Sequence, residues 1–154
     1  MAQIQQANES NIVDIVSVVN DAFQVETDFR AGDRTSTDEV AQLVHHGQLL
    51  IAIHDQQVAG VVFVRVDGTT GYFGMLAVRP SLQRLGLGRT LIEAAETYCR
   101  SRGSTRMTLT TPSVRRELLD RYGKLGYTIT SVEPVSPVGP FTKPIEMVSM
   151  AKEI

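Results

Sequence analysis

The spacing of apolar residues divides the chain into helical and extended segments. Apolar side chains that recur every three or four positions predict a helix with one buried face, whereas runs of β-branched residues predict a strand. The helical spacing occurs four times, at residues 12–23, 37–46, 89–102 and 112–125. The extended pattern occurs seven times, at residues 3–7, 48–54, 58–67, 72–78, 107–110, 127–132 and 145–150. Two polar or proline-rich stretches, 26–37 and 133–144, are predicted to be loops.

The order of these elements, β-α-α-β-β-β-α-β-α-β-β, predicts an α/β protein. The strands between residues 48 and 78 are joined by short turns, so we expect them to form an antiparallel meander. The strand–helix–strand unit at 72–110 instead predicts a parallel crossover. We therefore expect a mixed (α+β) sheet with helices on both faces, in a single domain that spans residues 1–154.

The composition is typical of a soluble protein of the cytoplasm. The chain has 154 residues, of which 42% are hydrophobic, and this is enough to build a core. Its single cysteine, Cys99, cannot form an internal disulfide, as suits a reducing compartment. The first residues have no signal-peptide pattern, and no apolar run reaches the roughly 20 residues that cross a membrane. A net charge of −2 and 6% aromatic residues give no reason to expect nucleic acid as a partner.

The candidate chemistry lies in residues 78–89, VRPSLQRLGLGR, between a predicted strand and a predicted helix. Gly86 and Gly88 let a ligand approach the backbone closely, and the first N–H groups of the helix attract anions. Arg84 and Arg89 flank this position, so the segment predicts a phosphate or pyrophosphate site. The glycines could instead serve only to pack the helix tightly on the sheet.

Two other phosphate-binding motifs do not fit this segment. The sequence G-x-x-x-x-G-K-[ST] of the P-loop is absent. The dinucleotide motif G-x-G-x-x-G is incomplete, because Leu91 occupies the position of its third glycine. A P-loop nucleotidase and a Rossmann dinucleotide site are both disfavoured.

Gln83-x-x-Gly86-x-Gly88 resembles the acetyl-CoA motif Q/R-x-x-G-x-G/A of the GNAT superfamily of N-acetyltransferases. Residues 121–127, RYGKLGY, resemble the signature Y-x-K-x-G-F/Y that the family carries at the end of the next helix. The order of strands and helices also matches, although residues 1–70 match by architecture alone. The resemblance implies a GNAT fold with about seven strands. It also implies acetyl-CoA as cosubstrate, and an amine that attacks the thioester directly.

The family pattern assigns expected roles to individual residues. The coenzyme pyrophosphate would be bound by the segment Gln83, Arg84, Leu85, Gly86, Leu87, Gly88 and Arg89. The pantetheine arm would pair with the backbone of Leu76, Ala77 and Val78. A backbone N–H near Leu76 or Ala77 would donate to the acetyl carbonyl oxygen. Tyr122 would protonate the leaving thiolate, although a tyrosine in the apolar stripe could also be a core residue. Tyr127 and Cys99 are expected to pack in the core.

The chain departs from the family pattern at Arg115. Many relatives have an asparagine early in this helix, where it bonds the pantetheine. Arg115 could instead reach a coenzyme phosphate or face solvent.

The acceptor is less well defined by the sequence. Residues 1–70 contain three basic and ten acidic side chains, which favours a cationic amine such as a polyamine, an aminoglycoside or a lysine. The 26–37 and 133–144 loops are expected to shape its pocket. The ammonium must lose a proton, and the candidate bases are Glu26, Asp28, Asp33, His45, His46 and His54. The spacing of the three histidines does not predict a metal site.

The sequence is also compatible with other functions. The chain could be a non-catalytic acyl-CoA-binding regulatory module, or a transferase for another acyl-CoA or for a non-amine acceptor. A homodimer could form through the strand at 145–150, which we expect to be an exposed edge of the sheet.

Overall fold

The computed structural model describes residues 2–137 and 139–154. Seven strands are present: β1 (Gln3–Gln6), β2 (Leu49–His54), β3 (Gln57–Asp67), β4 (Thr70–Val78), β5 (Arg106–Pro112), β6 (Thr128–Val135) and β7 (Ile145–Glu153). Four α-helices connect them: α1 (Ile12–Ala22), α2 (Thr37–His45), α3 (Leu87–Arg100) and α4 (Arg116–Lys124). Short 3₁₀ helices occur at Glu9–Asn11, Phe23–Glu26 and Pro80–Leu85.

The strands form one mixed sheet in the order β1-β2-β3-β4-β5-β7-β6. Neighbouring strands are antiparallel except for β4 and β5, which pair in parallel across the α3 crossover. The predicted mixed sheet of seven strands and its parallel crossover are therefore confirmed.

The sheet is covered on both faces, which explains the nearly continuous apolar runs in β2 and β3. In β2, Leu49 and Ile51 pack in a cluster with α1 and α2, whereas Leu50 and Ala52 pack in a second cluster with α3. Tyr122 of α4 belongs to the second cluster. Successive side chains of a strand point to opposite faces, so α1 and α2 lie on one face and α3 and α4 on the other.

Two element boundaries differ from the prediction at prolines. Pro112 ends β5, opposite Met147 of β7, and α4 begins only at Arg116. The predicted helix start at residues 111–112 was therefore wrong, because strand pairing with β7 overrides the local helix signal. Strand β6 continues through Pro134 into the stretch predicted to be a loop. Proline lacks an N–H, and β6 tolerates it because it lies at the edge of the sheet.

The edge strand itself was predicted wrongly. Residues 145–150 belong to β7, which is hydrogen-bonded to β5 on one side and to β6 on the other. After β6 the chain returns as β7, which lies between β5 and β6. Strand β6 therefore forms this edge of the sheet. A homodimer through β7 would require that ladder to break.

Two further findings concern the described residues only. None of their helices has the length and apolar character needed to span a bilayer. No three His, Cys, Asp or Glu side chains among them converge as ligands for a metal ion.

Candidate active site

Strands β4 and β5 diverge and leave a cleft in the middle of the sheet. They pair only from Thr70 to Tyr72 of β4, opposite Arg106 to Thr108 of β5. Beyond these residues a cavity of about 320 Å³ lies between them. Residues 72–78 line one wall and residues 109–112 the other, so both walls present strand backbone to the cavity.

A β-bulge distorts β4 where it lines the cleft. Gly74 pairs with Phe63 of β3 and Ala77 pairs with Val61, so β4 has one residue more than its partner between these pairs. Met75 adopts the left-handed conformation with φ of 49°, which is rare for a residue with a side chain. The bulge therefore changes the direction of the β4 backbone at the centre of the cleft.

One end of the cleft lies at the N-terminus of α3. The 3₁₀ helix Pro80–Leu85 leads into Gly86, whose φ of 75° favours glycine, and α3 starts at the next residue. A Cβ added at Gly88 would lie 3.7 Å from Nη1 of Arg121, so this guanidinium of α4 stands beside the first turn of α3. The first N–H groups of a helix have no partners within the helix, and together with Arg121 they form a positive site.

The structure brings six of the predicted site residues to the cleft. These are Leu76, Ala77, Val78, Gln83, Gly88 and Tyr122. The side chain of Gln83 donates from Nε2 to the carbonyl oxygen of Val78 at 3.1 Å, so it ties the turn to the end of β4. The role of Gln83 visible in this structure is thus to hold the turn in place.

The other predicted residues lie on the turn around the cleft rather than in its lining. Arg84, Leu85 and Gly86 are exposed, and the side chain of Leu87 is buried in the core. Arg89 is exposed and pairs with Glu93 at 3.4 Å. These residues can contribute backbone N–H groups to a ligand, but the side chain of Leu87 packs in the core and cannot contact that ligand.

Tyr122 lies on the α4 side of the cleft. Its ring packs edge-to-face on Phe73 at 5.8 Å, and only 5% of the residue is exposed. Burial raises the pKa of Tyr122 to about 12, so its hydroxyl stays protonated at neutral pH. Tyr127 packs nearby but donates its hydroxyl to Glu96 at 2.7 Å, and the structure confirms that it is a core residue. Cys99 is also buried in the core, as predicted.

Arg115 lines the cleft and pairs with a buried acid. Its Nη1 donates to Oε2 of Glu26 at 2.7 Å, while Nε of Arg30 donates to Oε1 of the same carboxylate at 2.9 Å. Glu26 is only 2% exposed. The side chain of Arg115 is 16% exposed, so it does not face solvent, and its contact with a coenzyme phosphate stays a prediction. Its partner Glu26 lies 89 residues earlier in the chain, so the sequence alone did not indicate this ion pair.

The candidate bases are mostly outside the cleft. Asp28 is exposed and pairs with Lys143 at 3.0 Å, and Asp33 is exposed beside a smaller pocket. The three histidines do not line the cleft either. Glu26 does, but both its oxygens already accept hydrogen bonds from arginines. Among the described residues, Glu26 is the one acidic side chain of the first 70 that lines the cleft, so their negative charge is not concentrated at this site.

Several cleft residues were not singled out from the sequence. Tyr72 and Thr110 face each other across the base of the cleft, with their hydroxyl oxygens 3.4 Å apart. The Oγ1 atom of Thr111 is buried and has no hydrogen-bond partner among the described residues. Arg34 lines the cleft from the α1–α2 connection. Only Arg121 carried a sequence signal, since it belongs to the RYGKLGY segment.

Comparison with known proteins decides the family. The model of the acetyltransferase (GNAT) family matches residues 13–127, which is most of the chain. The chain belongs to the GNAT family. No curated protein sequence matches it significantly.

Solved GNAT structures share the fold over the whole chain. The ribosomal-protein-S18-alanine N-acetyltransferase of Escherichia coli is 19% identical, with a TM-score of 0.78, and the match covers 100% of this chain and 94% of that one. The yncA protein of Salmonella typhimurium, solved with its cofactor acetyl-CoA, is 21% identical with a TM-score of 0.81, covering 99% and 94%. The ribosomal-protein-alanine N-acetyltransferase of Brucella melitensis is 17% identical with a TM-score of 0.82, covering 99% of both chains. At these identities the likeness shows the GNAT fold.

Proposed function

We propose that this GNAT protein transfers the acetyl group of acetyl-CoA to a primary amine, which attacks the thioester directly. The observation that carries the proposal is the early end of the β4–β5 ladder after Tyr72 and Thr108. It leaves the β5-facing edge of residues 73–78 without a strand partner, next to a cleft that leads to the N-terminus of α3.

The residues of the cleft fit the coenzyme. Backbone N–H groups of residues 84–89 and the guanidinium of Arg121 would hold the pyrophosphate. The free backbone edge of Leu76 and Ala77 would pair with the pantetheine arm as an added strand does. The carbonyl of Val78 already accepts a bond from Gln83, so the pairing would centre on the two residues before it. The hydroxyl of Thr111 is 3% exposed and has no partner within the described part of the chain, so it offers a further polar contact on the opposite wall.

A backbone N–H and a few side-chain hydroxyls of the chain would then take part in the reaction. Acetyl-CoA supplies an acetyl group activated as a thioester. A backbone N–H near Leu76 or Ala77, in the bulged part of β4, would donate to the acetyl carbonyl oxygen. As the amine forms its C–N bond and the C–S bond breaks, Tyr122 would give its proton to the sulfur. The proton that the amine nitrogen then loses would return through water to Tyr122, so that the acid is restored. The hydroxyls of Tyr72 and Thr110 would guide water that removes the proton of the ammonium.

The names of the structural neighbours agree with this proposal. One neighbour was solved with acetyl-CoA, and two others are named as N-acetyltransferases of alanine in ribosomal proteins. These names support the reaction class for a chain of the same family and fold.

Two measurements test the proposal in sequence. A thermal-shift titration with acetyl-CoA, with NAD and ATP as controls, tests the coenzyme site. Ligand at about 100 times its Kd adds about 2.7 kcal/mol, which corresponds to a Tm increase of roughly 5–10 °C for a chain of this size. A panel of amines is then tested by the release of the CoA thiol and by the mass of the acetylated product.

The outcomes separate the candidate functions. A Tm increase with acetyl-CoA alone, together with acetylation of any amine, supports the proposal. A Tm increase without turnover on the panel favours the non-catalytic acyl-CoA-binding module instead. No Tm change at millimolar acetyl-CoA would show that the Gln83–Arg89 turn does not bind the coenzyme, and the proposal would be overturned.

A further inference from the structure

The end of the cleft opposite the α3 turn is rich in arginine. We name it the acceptor end, and it lies at the base of the cleft, where Tyr72 and Thr110 face each other. Its wall comes from the α1–α2 connection, from the two strands and from the residue that precedes α4. The residues that define it are Glu26, Arg30, Arg34, Tyr72, Thr110 and Arg115.

The charges that line the acceptor end do not balance. Arg30 and Arg115 share the single carboxylate of Glu26, at 2.9 and 2.7 Å. Arg115 also contacts Glu117 at 3.2 Å, but the side chain of Glu117 is 59% exposed, and such pairs contribute little. Arg34 has Glu39 as a further acidic neighbour, but Glu39 is exposed and lies outside the cleft lining. Three half-buried guanidinium groups and one buried carboxylate therefore line this end of the cleft.

Arg34 is the clearest sign of a missing anion. Its guanidinium lies over the ring of Phe23 at 5.1 Å, and its buried Nε has no hydrogen-bond partner among the described residues. Burial and the neighbouring Arg30 lower the pKa of Arg34, so the site disfavours the charge that this side chain brings. A buried, unsatisfied charged donor destabilises the fold. An anionic ligand in the cleft would complete its hydrogen bonds.

Residues 140–142 pack against the connection that carries the arginines. The backbone N–H of Ala31 donates to the carbonyl of Pro140 at 2.7 Å, and that of Thr142 donates to the carbonyl of Phe29 at 2.9 Å. The guanidinium of Arg30 stacks on Phe141 at 4.8 Å. These contacts hold the connection beside the cleft, whose volume of about 320 Å³ is that of a small-molecule site.

We infer that the acetyl acceptor is a small amino carboxylic acid, whose carboxylate is bound by Arg34 and its neighbours while its amine points to the thioester. We thus deepen the proposed acetyl transfer, on which the assignment of this end to the acceptor rests. A carboxylate matches the planar fork of an arginine and supplies the missing negative charge. The cationic acceptor expected from the net charge of residues 1–70 would instead meet three guanidinium groups.

The test compares acceptors that differ only in the anion. The wild-type protein is assayed with a set of amino acids, with the amide and methyl ester of each, and with polyamines and aminoglycosides. Hydrogen bonds to charged groups are strong enough to predict at least a tenfold higher kcat/KM for an amino acid than for its own amide. Equal rates for acid and amide, or a preference for polyamines, would overturn the inference.

Variants test whether Arg34 causes the preference for the amino acid over its amide. Arg34→Met keeps the length of the side chain over Phe23 but removes the charge. We expect it to raise the KM for the amino acid about tenfold, to leave the rate with the amide and the KM for acetyl-CoA unchanged, and not to lower the Tm. Arg100→Gln, at the exposed far end of α3, is the matched control and should change none of these values. An equal loss with acid and amide in Arg34→Met would show a structural role only and would contradict the inference.

A binding measurement separates this inference from the proposed function. Calorimetry on the CoA-loaded protein should give a Kd at least tenfold lower for the amino acid than for its amide, whether or not turnover occurs. If some amine is acetylated but the acid is not preferred, the proposed function stands and the inference fails. If acetyl-CoA does not bind, both fail. If acetyl-CoA binds and the acid binds without being acetylated, the anion site stands and the transferase proposal fails.

Discussion

Replacing Glu26 by glutamine should destabilise the protein strongly. The carboxylate is 2% exposed and is the shared partner of Arg30 and Arg115. Glutamine has one carbonyl oxygen and no charge, so it can accept from the arginines but cannot neutralise them. Removing one member of a buried ion pair typically costs about 3–5 kcal/mol, because the remaining charge stays buried without a counter-ion. For a chain of this size the Tm should fall by roughly 6–20 °C.

Urea unfolding measures the loss of stability directly. The urea concentration at the midpoint should fall, while the slope of the unfolding free energy against urea concentration should not change. The matched control is Glu117→Gln, which removes a carboxylate from the same Arg115 but from a side chain that is 59% exposed. That control should lose no more than about 0.5 kcal/mol, as is typical of an exposed ion pair. An amino acid that binds at the acceptor end should restore more stability to Glu26→Gln than to the wild type, since it replaces the lost anion.

A loss below about 1 kcal/mol in Glu26→Gln would refute this reasoning. It would mean that water screens the guanidinium groups in the cleft, so that the carboxylate does not compensate a desolvated charge. The excess positive charge at the acceptor end would then also lose its significance for the choice of acceptor.

Three further substitutions test the other roles. Tyr122→Phe should lower kcat about tenfold without changing the KM for acetyl-CoA, because a thiol of pKa ~8.5 leaves with little help. The pKa of Tyr122 is raised to about 12 by burial, so its contribution to stability is complete below pH 10 and is lost between pH 10 and 12. The free energy of unfolding should therefore fall more steeply across that pH range in the wild type than in Tyr122→Phe. Tyr127→Phe removes the hydrogen bond to Glu96 and should cost about 1–3 kcal/mol of stability with unchanged kinetics. Arg121→Gln should raise the KM for acetyl-CoA about tenfold and leave that of the acceptor unchanged, as kinetics at saturating partner substrate would show.

The shape of the turn that leads into α3 could be predicted because its signals are local. Gly86 has the positive φ that favours glycine, and Gly88 stands in the first turn of α3, beside the guanidinium of Arg121. Both properties depend on residues within a few positions of each other. The apolar spacing likewise predicted the strands and helices, since each element needs only its own pattern of burial.

Strand order and edge position were harder to predict because they depend on distant pairing. Nothing local in residues 145–150 shows that β7 lies between β5 and β6. Pro134 is the one local indication of strand order, since a proline within a strand is found mainly at the edge of a sheet. It favours residues 128–135 as an edge strand, and β7 then lies inside the sheet.

The acceptor end shows why the charge of a whole segment is a poor guide to a binding site. Residues 1–70 contain ten acidic side chains, but charges on the surface interact through water and are screened within about 8–10 Å. In the described part of the cleft, this half of the chain contributes only Glu26 as an acid, and Arg30 and Arg115 already bind it. A charge interacts more strongly as its surroundings lose water, so a few half-buried guanidinium groups in the cleft can outweigh many exposed carboxylates. The anionic acceptor that we propose therefore rests on Arg34, whose buried Nε has no partner among the described residues, rather than on the net charge of the segment that contains it.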